Sequence, residues 1–170
     1  MTTEPKIYVA CLAAYNNGHL HGKWIDLTQD LDVVWNEINT MLKASPIPEA
    51  EEYAIQDYEG FEGYSISEYE GIEKAYQLAE FIYEHGRIGG MLLDHFNGDL
   101  DEAESAMENH AGEYRSLGEF AEEFTEQSID VPESLQYYID YEQMGKDMEI
   151  NGVFFSIETS FEELHVFWRH

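Results

Sequence analysis

KIYVACLAAYNNGHLHGKWIDL, residues 6–27, is the stretch that decides the N-terminal fold. Its first part, Lys6–Ala14, is an apolar run with aromatic and β-branched residues, which is typical of a β-strand. The Asn-Asn-Gly sequence at 16–18 is a turn signal, and His19–Leu27 has the character of a returning strand. The stretch therefore predicts an antiparallel β-hairpin.

A helix and a third strand are predicted to follow the hairpin. Thr28 or Asp30 can cap a helix that runs to about Leu42, and two prolines then stop it. Its apolar residues recur at helical spacing, namely Leu31, Val34, Trp35, Ile38, Met41 and Leu42. With a strand at Tyr53–Tyr58, these elements form a ββαβ unit.

Beyond this unit the pattern becomes helical and then returns to strands. The predicted helices are Ile72–Glu84, Gly90–Phe96, a segment from Leu100 to Met107 capped by Asp99, Leu117–Gln127 and Ser134–Ile150. The GRIGG sequence at 86–90 indicates a helix terminator rather than a phosphate loop. Two strand-like runs, Val153–Ile157 and Leu164–Trp168, are expected to pair. This order of strands, helices and strands predicts an α+β fold.

The chain is strongly acidic, and its charge is unevenly spread. The 170 residues carry 36 Asp and Glu against 8 Lys and Arg, a net charge of -28. Residues 49–149 hold 28 of the acids and four of the bases, so their net charge is -24. This balance excludes a nucleic-acid binder and a protein that docks on anionic membranes. General adaptation to salt should acidify the whole surface, so the concentration in the middle favours an acidic surface with a function.

Sequence composition also indicates the cellular compartment. The N-terminus is polar and lacks an apolar run of signal-peptide shape. No stretch approaches the roughly 20 apolar residues that a membrane span needs. Cys11 is the only cysteine, which rules out an intrachain disulfide and fits a reducing environment. We therefore expect a soluble cytoplasmic protein.

Motifs for catalysis are scarce. The sequence has no nucleotide-binding loop, nucleophile elbow or metalloprotease helix. The nearest metal motif is an EF-hand-like segment, Asn97–Glu108, in which Asn97, Asp99, Asp101, Ser105 and Glu108 occupy loop positions that ligate calcium. Its sixth position should be glycine but is Glu102. We expect no enzyme activity, cofactor or metal, and a calcium-binding protein or carboxylate hydrolase centred on this segment stays an alternative.

The negative charge has two natural targets. One is a basic protein, for which this chain would be an acidic chaperone or binding module. The other is a protein groove built for DNA. A compact chain of this length spans about 40 Å, over which B-DNA carries roughly 24 charges. The net charge of -28 is comparable and permits imitation of a duplex.

Three segments together resemble the ArdA family of antirestriction proteins. They are Ile7–Trp24 (IYVACLAAYNNGHLHGKW), Leu92–Ala103 (LLDHFNGDLDEA) and Tyr138–Asp147 (YIDYEQMGKD), and they occur in the family's order. The resemblance implies an acidic DNA mimic, usually encoded on mobile genetic elements. It would bind type I restriction–modification enzymes and occupy their DNA-binding groove, without binding nucleic acid itself.

The resemblance also implies an elongated row of three small domains and a homodimer joined through the last of them. We place these domains at 1–61, 62–104 and 105–170. Carboxylates on helix faces would replace phosphates, namely Glu73, Glu80, Glu84, Asp99, Asp101, Glu104, Glu108, Glu119, Glu122, Glu123, Glu126, Asp130, Asp140 and Asp147. Five residues are expected in the C-terminal core or in a dimer contact: Tyr137, Tyr138, Ile139, Tyr141 and Met144.

Overall fold

The computed structural model describes residues 4–169 of the chain. These residues belong to two compact units, one ending at Gly98 and the other beginning at Asp99. Each unit contains helices and one three-stranded antiparallel sheet. The predicted α+β class is confirmed, whereas the elongated row of three domains, with boundaries near residues 61 and 104, stays a prediction.

The first unit is built on a sheet with strand order β2-β1-β3. Its N-terminal elements are β1 (Lys6–Cys11), α1 (Leu12–Asn16), β2 (Gly22–Asp26), α2 (Leu31–Lys43) and β3 (Tyr53–Glu59). Ile7 and Val9 of β1 and Ile38 of α2 are fully buried. The apolar spacing predicted for α2 therefore faces the core, and β3 lies where the sequence predicts it.

The predicted hairpin forms, but its connection is longer than a tight turn. Ile7 of β1 pairs with Ile25 of β2 in antiparallel register. The predicted strand over Lys6–Ala14 is wrong in its last three residues, because α1 begins at Leu12 and buries Ala14. Leucine and alanine favour a helix over a strand, and Gly18, with a φ of 82°, then reverses the chain.

Two helices complete the first unit. They are α3 (Ile72–His85) and α4 (Arg87–His95). Gly86, with a φ of 67°, ends α3 as the sequence predicts, but α4 begins directly after it and not at Gly90. Gly90 is buried inside α4, where an added Cβ would lie 2.8 Å from the carbonyl oxygen of Glu62. The glycines therefore allow close packing within a helix as well as ending one.

The second unit has a sheet of order β4-β6-β5. Its elements are α5 (Leu100–Glu108), β4 (His110–Tyr114), α6 (Leu117–Ser128), α7 (Glu133–Gln136), α8 (Tyr141–Ile150), β5 (Phe154–Ser160) and β6 (Glu163–Trp168). Phe120 of α6, Phe154 of β5 and Val166 of β6 form a buried cluster. The predicted pairing of the last two strands is confirmed, with Phe155 opposite Phe167.

Helices α6 and α8 cross at two glycines. An added Cβ at Gly145 of α8 would lie 2.6 Å from the carbonyl oxygen of Leu117, and one at Gly118 of α6 would lie 2.6 Å from Glu142 Oε2. The Gly118 N–H donates to that same Glu142 oxygen at 2.8 Å. The crossing brings the first two turns of α8 against the first turn of α6.

Two parts of the second unit differ from the sequence prediction. Strand β4 was not predicted, because its five residues include Gly112, which has a φ of 142° and lies at a register shift. The single helix predicted at Ser134–Ile150 is wrong, because the chain leaves helical structure between α7 and α8. There Asp140 caps α8 by accepting a hydrogen bond from the Gln143 N–H at 2.9 Å.

Within residues 4–169, no helix combines the length and the apolar sequence that crossing a lipid bilayer requires.

Candidate functional site

All fourteen carboxylates predicted from the sequence lie at the surface. Each of the following residues is exposed: Glu73, Glu80, Glu84, Asp99, Asp101, Glu104, Glu108, Glu119, Glu122, Glu123, Glu126, Asp130, Asp140 and Asp147. They are distributed over both units, on or beside α3, α5, α6 and α8. Their local surroundings divide them into carboxylates that bond to their own chain and carboxylates that face solvent.

The densest group lies on α6. Glu119, Glu122, Glu123 and Glu126 form what we call the acidic α6 face, and they fall within about 100° of the helix circumference. The opposite side of α6 is buried through Phe120, Ala121 and Thr125. Because these buried residues recur at helical spacing, their burial turns all four carboxylates outward. The helix itself contains no basic residue.

The beginning of α6 is fixed by side-chain hydrogen bonds. Ser116 caps the helix by accepting from the Glu119 N–H at 3.1 Å. Glu119 in turn accepts from the Arg115 backbone N–H at 2.9 Å and from its guanidinium Nε at 3.2 Å. The backbone hydrogen bond is the main reason that the pKa of Glu119 is lowered, and the Arg115 side chain adds to it. Glu119 is therefore ionised and held in place.

Glu123 is linked to the core of the second unit. Burial, followed by a hydrogen bond to Glu123, raises the pKa of Tyr114 to about 12. The ring of Tyr114 packs edge-on against Phe120, with 5.1 Å between centroids. The phenol thus stays protonated, and its O–H donates to the carbonyl oxygen of Ala111 at 3.4 Å.

Two shallow grooves border the acidic α6 face. The first is lined by Glu122, Glu126, Ile129, Asp130, Val131, Gln136 and Tyr141. The second is lined by Arg115, Ser116, Gly118, Glu119, Glu122, Tyr141 and Glu162. Glu122 and Tyr141 belong to both. The structure therefore brings carboxylates of α6 together with Asp130 in one groove and with Glu162 in the other.

Helix α5 replaces the EF-hand-like loop considered from the sequence. Residues 100–108 of the segment Asn97–Glu108 are helical, with Ala103 and Ala106 buried, so they do not wrap around a cation. Asp99 caps this helix by accepting from the Glu102 N–H at 3.1 Å, and Asp101, Glu104 and Glu108 share one exposed face. Across the described range, 4–169, no three His, Cys, Asp or Glu side chains are grouped so as to hold a metal ion.

Helix α3 carries the acidic face of the first unit. Glu73, Glu80 and Glu84 are exposed at positions that share one side of the helix. Glu80 and Glu84 line a shallow groove with Tyr76, Tyr83 and residues of the loop after β2, namely Leu27 and Thr28. Desolvation and then the Glu80 charge raise the pKa of Tyr76.

The two carboxylates predicted at α8 bond to groups of that helix. Asp140 is its N-cap, and Asp147 accepts from the Gln143 side-chain amide at 2.9 Å. Sequence reasoning did not identify Glu142, which bonds to the start of α6, or Glu162 in the groove. Helical periodicity carries no signal for either, because both depend on contacts between segments distant in sequence.

The aromatic residues before α8 are not part of the core. Tyr137 and Tyr138 are 93% and 84% exposed, so a place in the C-terminal core, one of the two alternatives for them, is excluded. Leu135 and Ile129 are also exposed nearby in sequence. Ile139, Tyr141 and Met144 are partly buried.

Comparison with known proteins identifies the family. A sequence model described as Antirestriction protein (ArdA) matches residues 7–163 of the 170 residues. No curated protein sequence matches the chain. Because the family match covers nearly the whole chain, the protein belongs to the ArdA family. This is a family of antirestriction proteins and not a known family of enzymes.

Proposed function

We propose that this member of the ArdA family inhibits type I restriction–modification enzymes by occupying the groove in which they bind DNA. Exposed helix carboxylates would take the place of DNA phosphates. The observation that supports this best is the charge spacing on the acidic α6 face. The protein would act by binding alone, with no catalytic step and no cofactor.

The charge spacing can be compared directly with that of DNA. Glu119 and Glu126 are seven residues apart, which is about 10.5 Å along a helix axis. The four carboxylates of the face are therefore separated along the axis by about 4.5, 1.5 and 4.5 Å, an average of about 3.5 Å. One strand of B-DNA presents a phosphate about every 3.4 Å. On the corresponding face of α3 the average separation is about 8 Å, because three carboxylates span eleven residues.

The energetics favour many weak contacts over one strong one. An enzyme groove that binds DNA carries Lys and Arg side chains, which attract a protein of net charge -28 over long distances. Each exposed ion pair contributes little by itself, so affinity must come from the sum over several helices. Glu119, Glu122, Glu123, Glu126 and Asp130 lie together and would form the main contact.

We also propose that the protein is a homodimer of the cytoplasm, joined through its second unit. The exposed apolar side chains of this unit support such a contact. They include Ile129, Leu135, Tyr137 and Tyr138, all in the segment between α6 and α8. Pairing of two copies would double the number of acidic helices that a partner enzyme meets.

A displacement experiment tests the function. A fluorescent duplex is bound to a purified type I methyltransferase, and its anisotropy is followed as this protein is added. We expect the duplex to be released, and the concentration required to rise with salt, since exposed charges are screened. A duplex that stays bound at excess protein would contradict the proposal.

A variant with the whole acidic α6 face changed to glutamine is the matched control, because it keeps the shape of the helix. It should release the duplex less effectively than the wild type. A basic protein without a DNA groove is the second control. Tighter binding to that protein than to the methyltransferase would instead indicate an acidic chaperone.

A further inference from the structure

The tip of the β5–β6 hairpin carries an exposed aromatic side chain. Phe161 is 85% exposed, although its hairpin belongs to a sheet with a well-buried core. Glu158, Glu162 and Glu163 are exposed around it. The ring of Phe161 is in water among carboxylates, so it contributes no buried apolar area to its own fold.

The hairpin holds this side chain on a fixed turn. Ser160 Oγ donates to the Glu163 carboxylate, and Thr159 Oγ1 donates to the Glu163 backbone carbonyl at 3.3 Å. Thr159 is buried, which ties the base of the turn to the unit. Glu162 has a φ of 58°, in the left-handed region where glycine is the favoured residue. The turn therefore has a strained backbone at Glu162, where a glycine would be unstrained.

The tip also adjoins the densest acidic surface. Glu162 lines the same groove as Glu119, Glu122 and Tyr141. Phe161 precedes Glu162 in the chain, so its backbone adjoins a residue of this groove, although Phe161 itself does not line it. Interfaces commonly combine an aromatic ring with a polar or charged rim, and aromatic residues dominate the binding energy in many of them.

We propose that Phe161 is an anchor that enters the base-binding pocket of the methyltransferase subunit, while the acidic α6 face pairs with the cations of its DNA groove. This rests on the proposed function. DNA methyltransferases turn their target base out of the duplex into a pocket that stacks it between aromatic and apolar side chains. A planar ring next to a track of negative charges presents the same combination as a turned-out base next to its phosphates.

Tyr137 and Tyr138 fit this role less well. They are accompanied by the exposed apolar residues Ile129 and Leu135 in the same segment, as a contact between proteins requires. Phe161 is flanked by acids in the sequence Glu158-Thr-Ser-Phe-Glu-Glu163. A single ring that projects from a charged turn suits a pocket better than a flat apolar contact.

Displacement of the fluorescent duplex from the methyltransferase tests the proposal with three variants. Phe161→Ala should weaken displacement about 10-fold to 30-fold, as expected for loss of an aromatic hot spot. Phe161→Trp should stay close to the wild type because it keeps a planar ring. Tyr69→Ala is the matched control, since Tyr69 is 83% exposed in the first unit, and it should change nothing. Thermal unfolding of all three should match the wild type.

The outcomes separate the two proposals. Wild-type protein that leaves the duplex bound overturns the proposed function and this inference with it. Wild-type protein that displaces the duplex, together with Phe161→Ala that does so equally well, overturns the inference alone. A dimer that dissociates on Phe161→Ala would also overturn it, because Phe161 would then be a contact between two copies.

A photo-crosslinking experiment locates the ring. The photoreactive residue benzoylphenylalanine replaces Phe161, and the complex with the whole methyltransferase is irradiated and digested. Adducts on peptides of the base pocket support the proposal. Adducts only on the subunit that reads the DNA sequence, or only on a second copy of this chain, overturn it.

Discussion

The two units of this protein hold their helices in different ways. In the first unit none of the helices α1 to α4 has a side-chain hydrogen bond at its N-cap, whereas α5, α6 and α8 of the second unit are all capped by a side chain. Among residues 4–169, the first unit buries 24 apolar residues and the second only nine. Net charge runs the other way, with -12 on residues 1–98 and -16 on the shorter stretch 99–170.

This difference indicates that the acidic surface of the second unit lowers its stability. Like charges three or four residues apart destabilise a helix by about 0.2–0.5 kcal/mol per pair. The acidic α6 face contains several such pairs, and its unit has few buried apolar side chains to offset them. Capping side chains and the crossing of α6 with α8 compensate in part. The first unit, with more burial and a smaller net charge, needs neither device to the same degree.

The largest effect on stability is expected from a substitution at the packed crossing of α6 and α8. Gly145→Ala would push a Cβ to 2.6 Å from a backbone oxygen of Leu117, which cannot move without displacing α6. We expect the second unit to lose about 1–3 kcal/mol of unfolding free energy. Gly71→Ala, at the start of α3, is the control, because its new methyl group would meet no atom within 4 Å. Urea unfolding measures the stability of both variants. Equal midpoints would contradict the expected difference between the packed and the open glycine.

The next effect concerns binding. Changing the acidic α6 face to glutamine removes four charges, and changing Glu73, Glu80 and Glu84 removes three. If each exposed pair is worth about twofold to threefold, the first variant loses about 30-fold in displacement of DNA and the second about 10-fold. Competition titrations at one salt concentration measure both. A larger loss from the α3 variant would assign the main contact to the first unit.

A smaller effect is expected at the helix caps. Asp99→Ala removes the hydrogen bond from the Glu102 N–H and should cost about 1 kcal/mol. Asp30 precedes α2 without any capping hydrogen bond from its side chain, so Asp30→Ala should cost no more than a few tenths of a kcal/mol. Thermal unfolding of the two variants measures the difference. Equal losses would show that the caps do not distinguish the units.

The smallest effect is a dependence on pH in the second unit. His165 Nδ1 lies 3.0 Å from His110 Nε2, and burial lowers the pKa of His165 from its ordinary 6.5, against the opposing charges of Glu113 and Glu163. The unfolded chain therefore takes up this proton first as pH falls, and the stability contributed by neutral His165 is lost below about pH 6.5. His165→Gln should flatten the curve of unfolding midpoint between pH 7.5 and 5.5. An unchanged slope in that variant would contradict the assignment.

Much of the fold could be predicted from local patterns, and what could not depends on tertiary contacts. Helices α2, α3 and α6 have clear apolar periodicity, so their existence and their exposed carboxylates were predictable. Strand β4 was missed because Gly112 and Glu113 weaken its sequence signal and β6 supplies its partner. The break before α8 was missed because Tyr137–Asp140 contains no glycine or proline to mark it.

The exposure of the predicted carboxylates could also be read from local patterns. Periodicity identifies which carboxylates of a helix face outward, and all fourteen predicted carboxylates are exposed. It cannot identify Glu142 or Glu162, because their positions beside α6 depend on the α6–α8 crossing and on the last hairpin. The exposure of Phe161 was also hidden, since a phenylalanine between two predicted strands has no distinctive sequence pattern.

The glycine crossing of α6 and α8 determines which positions of the sequence can be substituted in evolution. A carboxylate on the outer face can be lost at one position and regained a turn away, because the new side chain lies on the same side of the helix. Gly145 has no such substitute, since a Cβ there meets the backbone of Leu117, whereas a Cβ at Gly118 first meets the end of the Glu142 side chain. In a saturation mutagenesis selected for antirestriction, the acidic positions should therefore accept many residues, Gly118 fewer, and Gly145 almost none.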